Sequence, residues 1–362
     1  MALSEMFARR LRVSAETTRR LVHVWVGIMI FLCPFIFDRP FYPIITAVLF
    51  TGINLLALRM EKFKGMHATE RTSYGTVYFP VAFIILVLLF WDRAPIALEA
   101  GVILLALSDP LAAAVGQRWA TSTFTPWRDP KSLPGTAAML ASSIILIALL
   151  MVTLYPPATA HGLDWQFIAS AIILTALVAT VAEGLSWRGS DNLSVPLAAA
   201  TFLFLFLQLA PTDLAPFLYW SAGSLIVLGA VTAFGALSVS GLAGAWCLGE
   251  FIFLAGSWRW LIPIIVFFLL SSALTRLNRS TRYLSHKGGP PAAFGKRNVV
   301  QVLANGGMPL LIAVAFGIWG HGLLYLVFLS SLAAATADTW ATEIGSWSKR
   351  APRNIITREA MI

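Results

Sequence analysis

Apolar stretches of about 20 residues recur from one end of this chain to the other, and each is long enough to cross a bilayer as a helix. Twelve such spans are predicted, over 21–37, 41–58, 76–92, 95–117, 136–155, 166–187, 195–211, 216–233, 238–256, 259–275, 299–318 and 322–345. The expected fold is therefore an all-α polytopic membrane protein. A soluble protein with one anchor is excluded, because the runs never give way to a polar domain. Only 12% of the residues are charged, where a soluble domain carries about a quarter. The basic start, MALSEMFARRLRVSAETTRR, reads as the cap of the first span and not as a cleavable signal peptide. Cys33 and Cys247 both fall within apolar runs, where they read as small packing residues; two buried cysteines make neither a disulfide framework nor a zinc site.

Charge sets the expected orientation. With a cytosolic N-terminus, the cytosolic segments are 1–20, 59–75, 118–135, 188–194, 234–237, 276–298 and 346–362. They hold 23 of the 26 Lys and Arg, leaving Arg39, Arg93 and Arg259 outside. This positive-inside asymmetry supports an even number of spans and the orientation together. The net charge of +9 follows from topology and does not point to a nucleic-acid partner.

The polar residues that topology does not require collect at the same ends of the spans. They lie in ETTRRLVHVWVG near the start, ERTSYGTVYFP at 70–80, SDP at 108–110, DPKSLPGT at 129–136 and VAEGLSWRGSDNLSVPL at 181–197. A transporter is expected to carry polar groups near the midplane, often on broken helices. Polar groups at one face suit an enzyme that meets a water-soluble reactant from the cytosol and a lipid-soluble one from the bilayer.

Asp109 is the sharpest of these residues. A carboxylate inside a span costs about 2.5–3.5 kcal/mol on insertion scales, so it needs a partner. Three readings stand open: an ion pair, for instance with Arg71 or Lys131, a protonated carboxyl, or a divalent metal carried in with a nucleotide. In KSLPGT, Lys131 is a point charge suited to phosphate. Pro134, Gly135 and Thr136 open a helix whose free N–H groups form an anion site; a basic loop before an ordinary helix start is the alternative. No Walker A loop is present. Glu183, Asp191 and Asn192 stand at the same level. The set is consistent with metal–triphosphate chemistry, with acids for magnesium and Lys131 and Arg71 for phosphate charge.

Five of these motifs, in order over about 200 residues, carry a resemblance. Residues 1–215 resemble the phytol and farnesol kinase branch of the polyprenol kinases, relatives of dolichol kinase, in ETTRRLVHVWVG, ERTSYGTVYFP, LSDPLAAAVGQRW, KSLPGTAAM and EGLSWRGSDNLSVPL. The resemblance implies transfer of the γ-phosphate of CTP to a long-chain isoprenoid alcohol drawn from the lipid bilayer, with magnesium as cofactor. It implies that Asp109, Lys131 and Asp191 are catalytic, that Arg71, Lys131, Ser132, Gly135, Thr136 and Asn192 hold the nucleotide, and that Asp109, Glu183 and Asp191 hold the metal. His23 and Tyr78 would line or support the site. A bacterial inner membrane with the site on the cytosolic face is the expected location.

Residues 216–362 resemble a second membrane family, long described only as a domain of unknown function, whose plant members are phytyl-phosphate kinases. The stretches are FGALSVSGLAGA, FFLLSSALTRL, KRNVVQVLANGG and AAATADTWATEIGSWSKRAPR. Gln301, Asn305, Asp338 and Glu343 are its candidate site residues. The first half would make a prenyl monophosphate and the second add another phosphate. An internal echo joins the halves: Ala106, Asp109, Ala112 and Gly116 align with Ala335, Asp338, Ala341 and Gly345, as a duplicated nucleotide-site helix would. The second half reads as incomplete at NIITREAMI, so first-site activity with little monophosphate kinase activity is expected.

Other polar features have plainer readings. Trp25, Trp91, Trp165 and Trp187 fall near span ends, as in an aromatic belt. Segment 276–298 is explained by topology and lipid headgroups as well as by substrate. Ala112–Ala114 and Gly241–Gly244 read as helix-packing contacts. Two other functions compete: a transporter or flippase of prenyl phosphates, and a cytidylyltransferase, which shares a similar SD and KSxxGT logic.

Overall fold

The computed structural model describes residues 15–59, 74–119, 122–154, 164–285 and 296–345, together with Arg353, Ile356, Thr357 and Glu359. Among them, eight helices are long and apolar enough to cross a membrane: Phe41–Arg59, Pro95–Arg118, Leu133–Thr153, Trp165–Gly184, Pro211–Ala233, Val239–Leu277, Val299–Trp319 and Leu323–Gly345. Three shorter apolar helices cover Arg20–Ile36, Gly75–Phe90 and Asp191–Leu207. The chain divides into two compact units, Met1–Trp220 and Ser221–Ile362.

In the first unit α1 (Ala15–Phe31) and the short α2 (Cys33–Ile36) lead to α3 (Phe41–Arg59) and α4 (Gly75–Phe90). Helix α5 (Pro95–Ile103) continues through a π turn at Leu104–Ser108 into α6 (Asp109–Arg118). A small antiparallel ribbon follows, β1 (Thr123–Phe124) against β2 (Lys131–Ser132), with Phe124 opposite Lys131. Then come α7 (Leu133–Thr153), α8 (Trp165–Gly184), α9 (Asp191–Leu207) and α10 (Leu214–Ala233), inside which the division between the units falls.

The core of this unit lies between α5, α8 and α9. Helix α9 is apolar on every side, which marks a buried helix. Its Phe202, Leu203 and Phe206 are fully buried. Phe206 meets Phe167 of α8 at 5.0 Å between ring centres and Phe217 of α10 at 5.6 Å. Opposite, Ala97, Ala100 and Gly101 of α5 let the backbones close: a Cβ at Gly101 would stand 2.5 Å from the Pro196 carbonyl oxygen. Two helices begin earlier than the apolar runs predict. Ser132 caps α7 before Leu133, and α9 takes in Asp191, because polar first turns are stable where side chains can meet the free N–H groups.

In the second unit α11 (Val239–Ser285) breaks at Ser257, whose φ of 57° lies in the left-handed region. The chain doubles back there. The Arg297 carbonyl lies against Gly241, while its guanidinium reaches Ser272 and Thr275. An unbroken helix would hold Gly241 and Thr275 about 50 Å apart. The two runs predicted at 238–256 and 259–275 are therefore separate legs. Both pack on α12 (Val299–Trp319), whose Gly306 is approached by Leu248 of one leg and Ile264 of the other. Trp260 stacks on Phe316 of α12 at 4.7 Å and packs on Tyr325 and Phe328 of α13 (Leu323–Gly345).

Candidate functional site

Residues from the ribbon, from the end of α8 and from the turn into α9 meet in the first unit. Lys131 on β2 donates to Glu183 Oε1 at 2.5 Å and to Ser186 Oγ at 2.9 Å. The lysine and glutamate side chains are 14% and 12% exposed. Glu183 sits in the last turn of α8, where the helix dipole disfavours an anion; the ammonium offsets that cost. The other carboxylate oxygen, Oε2, is buried and has no hydrogen-bond partner among the described residues.

The turn from α8 to α9 is tightly specified. Arg188 and Gly189 have φ of 51° and 85°. The Trp187 N–H donates to Ser190 Oγ at 2.9 Å, and the Arg188 carbonyl accepts from the Tyr74 N–H at 3.0 Å. Asn192 is buried, and its side-chain amide donates to the Gly189 carbonyl and to Asp191 Oδ1. That same oxygen accepts the Asn192 N–H. One oxygen of Asp191 is thus committed within the turn.

At the predicted helix-start anion site one donor is already engaged. Ser132 Oγ accepts from the Gly135 N–H at 3.2 Å, so that donor is capped from within, as Ser at an N-cap does. Gly116 of α6 packs here: a Cβ on it would stand 2.7 Å from Ser132 Oγ, and one on Gly135 3.0 Å from the Ala112 carbonyl oxygen. Thr136 Oγ1 is buried without a hydrogen-bond partner among the described residues.

Asp109 is half-buried at the start of α6, directly after the π turn. Seven residues separate it from Gly116, about 10 Å of helix. It therefore lies roughly two turns deeper than the Ser132–Gly135 cap. The partner Lys131 takes is Glu183 and not Asp109. The π turn disrupts the regular backbone ladder, and His23 Nε2 donates to the Leu105 carbonyl at 2.9 Å. His23 also meets Phe79 edge-on at 4.9 Å. It supports the segment that carries Asp109. Tyr78 is half-buried beside Tyr74, with ring centres 6.2 Å apart. Arg71 lies outside the described residues.

Among the described residues no three His, Cys, Asp or Glu side chains gather as ligands of one metal ion. Magnesium commonly takes one or two carboxylates and completes its shell with phosphates and water. The open Oε2 of Glu183 fits that mode, and a dedicated protein cage is not required.

The second unit has its own polar cluster. Thr275 donates to Glu343 Oε1 at 2.7 Å, and Arg297 donates to Thr275 Oγ1 at 3.1 Å and Ser272 Oγ at 3.3 Å. Of the residues predicted here, Glu343 belongs to this cluster. Gln301 forms a capping box with Asn298 at the start of α12. Asn305 is half-buried and Asp338 exposed. Asp338 sits in regular α-helix, whereas Asp109 follows a π turn, so the two halves of the sequence echo differ locally.

Ser186, Arg297 and Thr275 fall inside quoted motifs yet carry no role in the sequence reading, and Arg128 lies outside every motif. Glu99 and Glu250, at 1% and 0% exposure, carry no role there either, although a lone carboxylate in an apolar run was signal enough at Asp109. The tryptophans divide: Trp25 and Trp165 are exposed, whereas Trp91 is buried. Trp187 packs against Trp127 and two arginines.

The family described as Integral membrane protein DUF92 matches residues 222–361. The phytol kinase of Synechocystis sp. is 30% identical over 206 residues, which cover 55% of this chain and 84% of that protein. A probable chloroplastic phytol kinase of Triticum aestivum is 33% identical over 141 residues, 38% of this chain and 45% of that protein. The uncharacterized membrane protein MJ0933 of Methanocaldococcus jannaschii is 31% identical over 125 residues, 34% of this chain and 50% of that protein. The matches to the last two thus span about half the length of each. No solved structure matches the chain. The protein is a multi-pass integral membrane protein.

Proposed function

The chain belongs to the phytol kinase family, and from that premise we propose that it transfers the γ-phosphate of CTP to phytol, geranylgeraniol or farnesol, giving the prenyl monophosphate. The kinship supports a membrane prenol kinase with its isoprenoid substrate in the bilayer. The observation that carries the site assignment is the largely buried Lys131–Glu183 pair with Ser186, where ribbon and helix ends converge.

In the proposed reaction the prenol oxygen attacks the γ-phosphorus, the bond to the β–γ bridging oxygen breaks, and CDP leaves. Lys131 has three N–H donors. Two go to Glu183 and Ser186, and the third serves a phosphate oxygen. Ser132, Gly135, Thr136 and Asn192 shape the nucleotide pocket, with Arg71 as a further phosphate cation. Magnesium, when bound, would neutralise phosphate charge, and Glu183 Oε2, Asp109 and Asp191 are the oxygens proposed to hold it. Asp191 is also the proposed acceptor of the alcohol proton. His23 and Tyr78 support the walls. Catalysis rests on positioning and electrostatics.

Twelve spans with a cytosolic N-terminus complete the proposal, in a bacterial inner membrane with the site on the cytosolic face. The three shorter apolar helices and the two legs of α11 support that count. So do contacts between helix ends that this alternation assigns to one side: Tyr74 with Arg188, Lys131 with Glu183, and Thr275 with Glu343. Residues 216–362 are proposed to be related to enzymes that convert the monophosphate to the diphosphate, with Gln301, Asn305, Asp338 and Glu343 as candidates. The cluster around Glu343 favours that reading.

Labelled CTP, incubated with the purified chain and phytol, tests the reaction class. CDP is the expected product. Pyrophosphate would assign a cytidylyltransferase, and unchanged CTP would favour a transporter.

A further inference from the structure

Lys131 alone cannot supply the charge that a nucleotide polyphosphate needs. Its ammonium is held by Glu183, and an anion that close cancels most of the field it presents. Two more cations stand on the loops flanking this pair. The Arg128 guanidinium carbon lies 4.9 Å from the Trp127 ring centre and 4.3 Å from that of Trp187. The Arg188 guanidinium carbon lies 4.4 Å from the Trp187 ring centre. The two indoles meet edge-on at 6.0 Å.

Both arginines are exposed. Among the described residues, neither guanidinium is paired with a carboxylate. An arginine held on an indole spends its planar face there. Its five N–H donors lie in the plane and stay available for phosphate oxygens. The backbone adds an independent sign. Arg188 is left-handed, with φ of 51°, a conformation that glycine would adopt without strain. Such strain persists only where the surroundings hold it. Here the Tyr74 N–H, bonded to the Arg188 carbonyl, and the Ser190 hydroxyl, bonded to the Trp187 N–H, do so. A cation stands where a glycine would be easier.

Resting on the kinase reading, we propose that Arg128 and Arg188, fixed by Trp127 and Trp187, bind the phosphate chain of the nucleotide donor. An anionic lipid headgroup offers the same phosphate chemistry, and the experiment separates the two sources.

The full chain in phosphatidylcholine nanodiscs, with magnesium, is titrated with CTP and CMP by indole fluorescence. KM values for CTP and prenol are measured on the same samples. The variants are Arg128→Ala, Arg188→Gly and Arg188→Lys. Glycine suits the left-handed position, so its loss of function is not a folding defect. Arg128→Ala and Arg188→Gly are each expected to raise Kd and KM for CTP about tenfold, as loss of a charge-assisted contact does. Prenol KM stays within twofold, and the preference for CTP over CMP narrows. Arg188→Lys recovers only part, because an ammonium lacks the planar fork. CTP constants within twofold of wild type in both variants overturn the proposal. So does a defect seen only as a lost response to added phosphatidylglycerol, which assigns the arginines to headgroups. A wild-type chain that binds CTP through these arginines and phosphorylates no prenol supports the nucleotide site and overturns the kinase reading instead.

Discussion

Lys131 on the β-ribbon and Glu183 in the last turn of α8 form an ion pair of 2.5 Å between residues 52 positions apart. Two largely buried charges offset each other's desolvation only when both are present, and removing one strands the other. The pair therefore locks ribbon to helix, and it leaves one buried carboxylate oxygen unspent.

Lys131→Met and Glu183→Gln are each expected to lower stability by about 3 kcal/mol. The double variant should recover part of that loss, because neither charge is then unpaired. None of the three should turn over. Thermal unfolding in detergent, with a CTP assay on the same samples, separates the structural from the functional contribution. Full activity in the double variant would remove the pair from the site.

Gly135→Ala is expected to push α6 from α7. Its Cβ would stand 3.0 Å from the Ala112 carbonyl oxygen and 3.2 Å from Gly116 Cα, both backbone atoms that cannot rotate away. Overpacking of this kind costs about 1–3 kcal/mol. A drop in melting temperature together with a raised CTP KM is the expected result.

His23→Ala should leave the Leu105 carbonyl of the π turn without its partner, at a cost of about 1–3 kcal/mol. Glutamine, which can present an N–H, is expected to restore part of the stability. Unfolding midpoints of wild type and the two variants decide this, and equal midpoints for Ala and wild type would contradict it.

Asp109→Asn is expected to abolish turnover while the protein still inserts and folds. Removal of divalent metal with EDTA should stop the wild-type reaction, and magnesium should restore it. Activity of the variant near wild type, or full activity in EDTA, would contradict the metal–nucleotide reading.

The helices are legible because a bilayer imposes one rule on every span, and among the described residues eight helices meet it while α4 and α9 are apolar but shorter. Even the break in α11 was legible, as a gap between two runs around Ser257. Side-chain partners were not. Lys131 and Glu183 each stood in a motif, yet nothing in the spacing joined them, because the contact depends on where β2 lies against the end of α8. The Gly135 N–H looked open in sequence, but Ser132 sits at the one position from which its hydroxyl caps that group. Trp187 shows the same limit. Near a span end it reads as a belt residue, and only folding brings Arg128 and Arg188 onto its ring.

The most direct measurement is transfer of label from γ-labelled CTP to phytol by the purified chain, set beside Glu183→Gln in the same lipid. Label in phytyl monophosphate with wild type, and none with the variant, is the predicted result. Equal labelling by both, or none by either while the chain is folded, would contradict the assignment of this site as the seat of prenol phosphorylation.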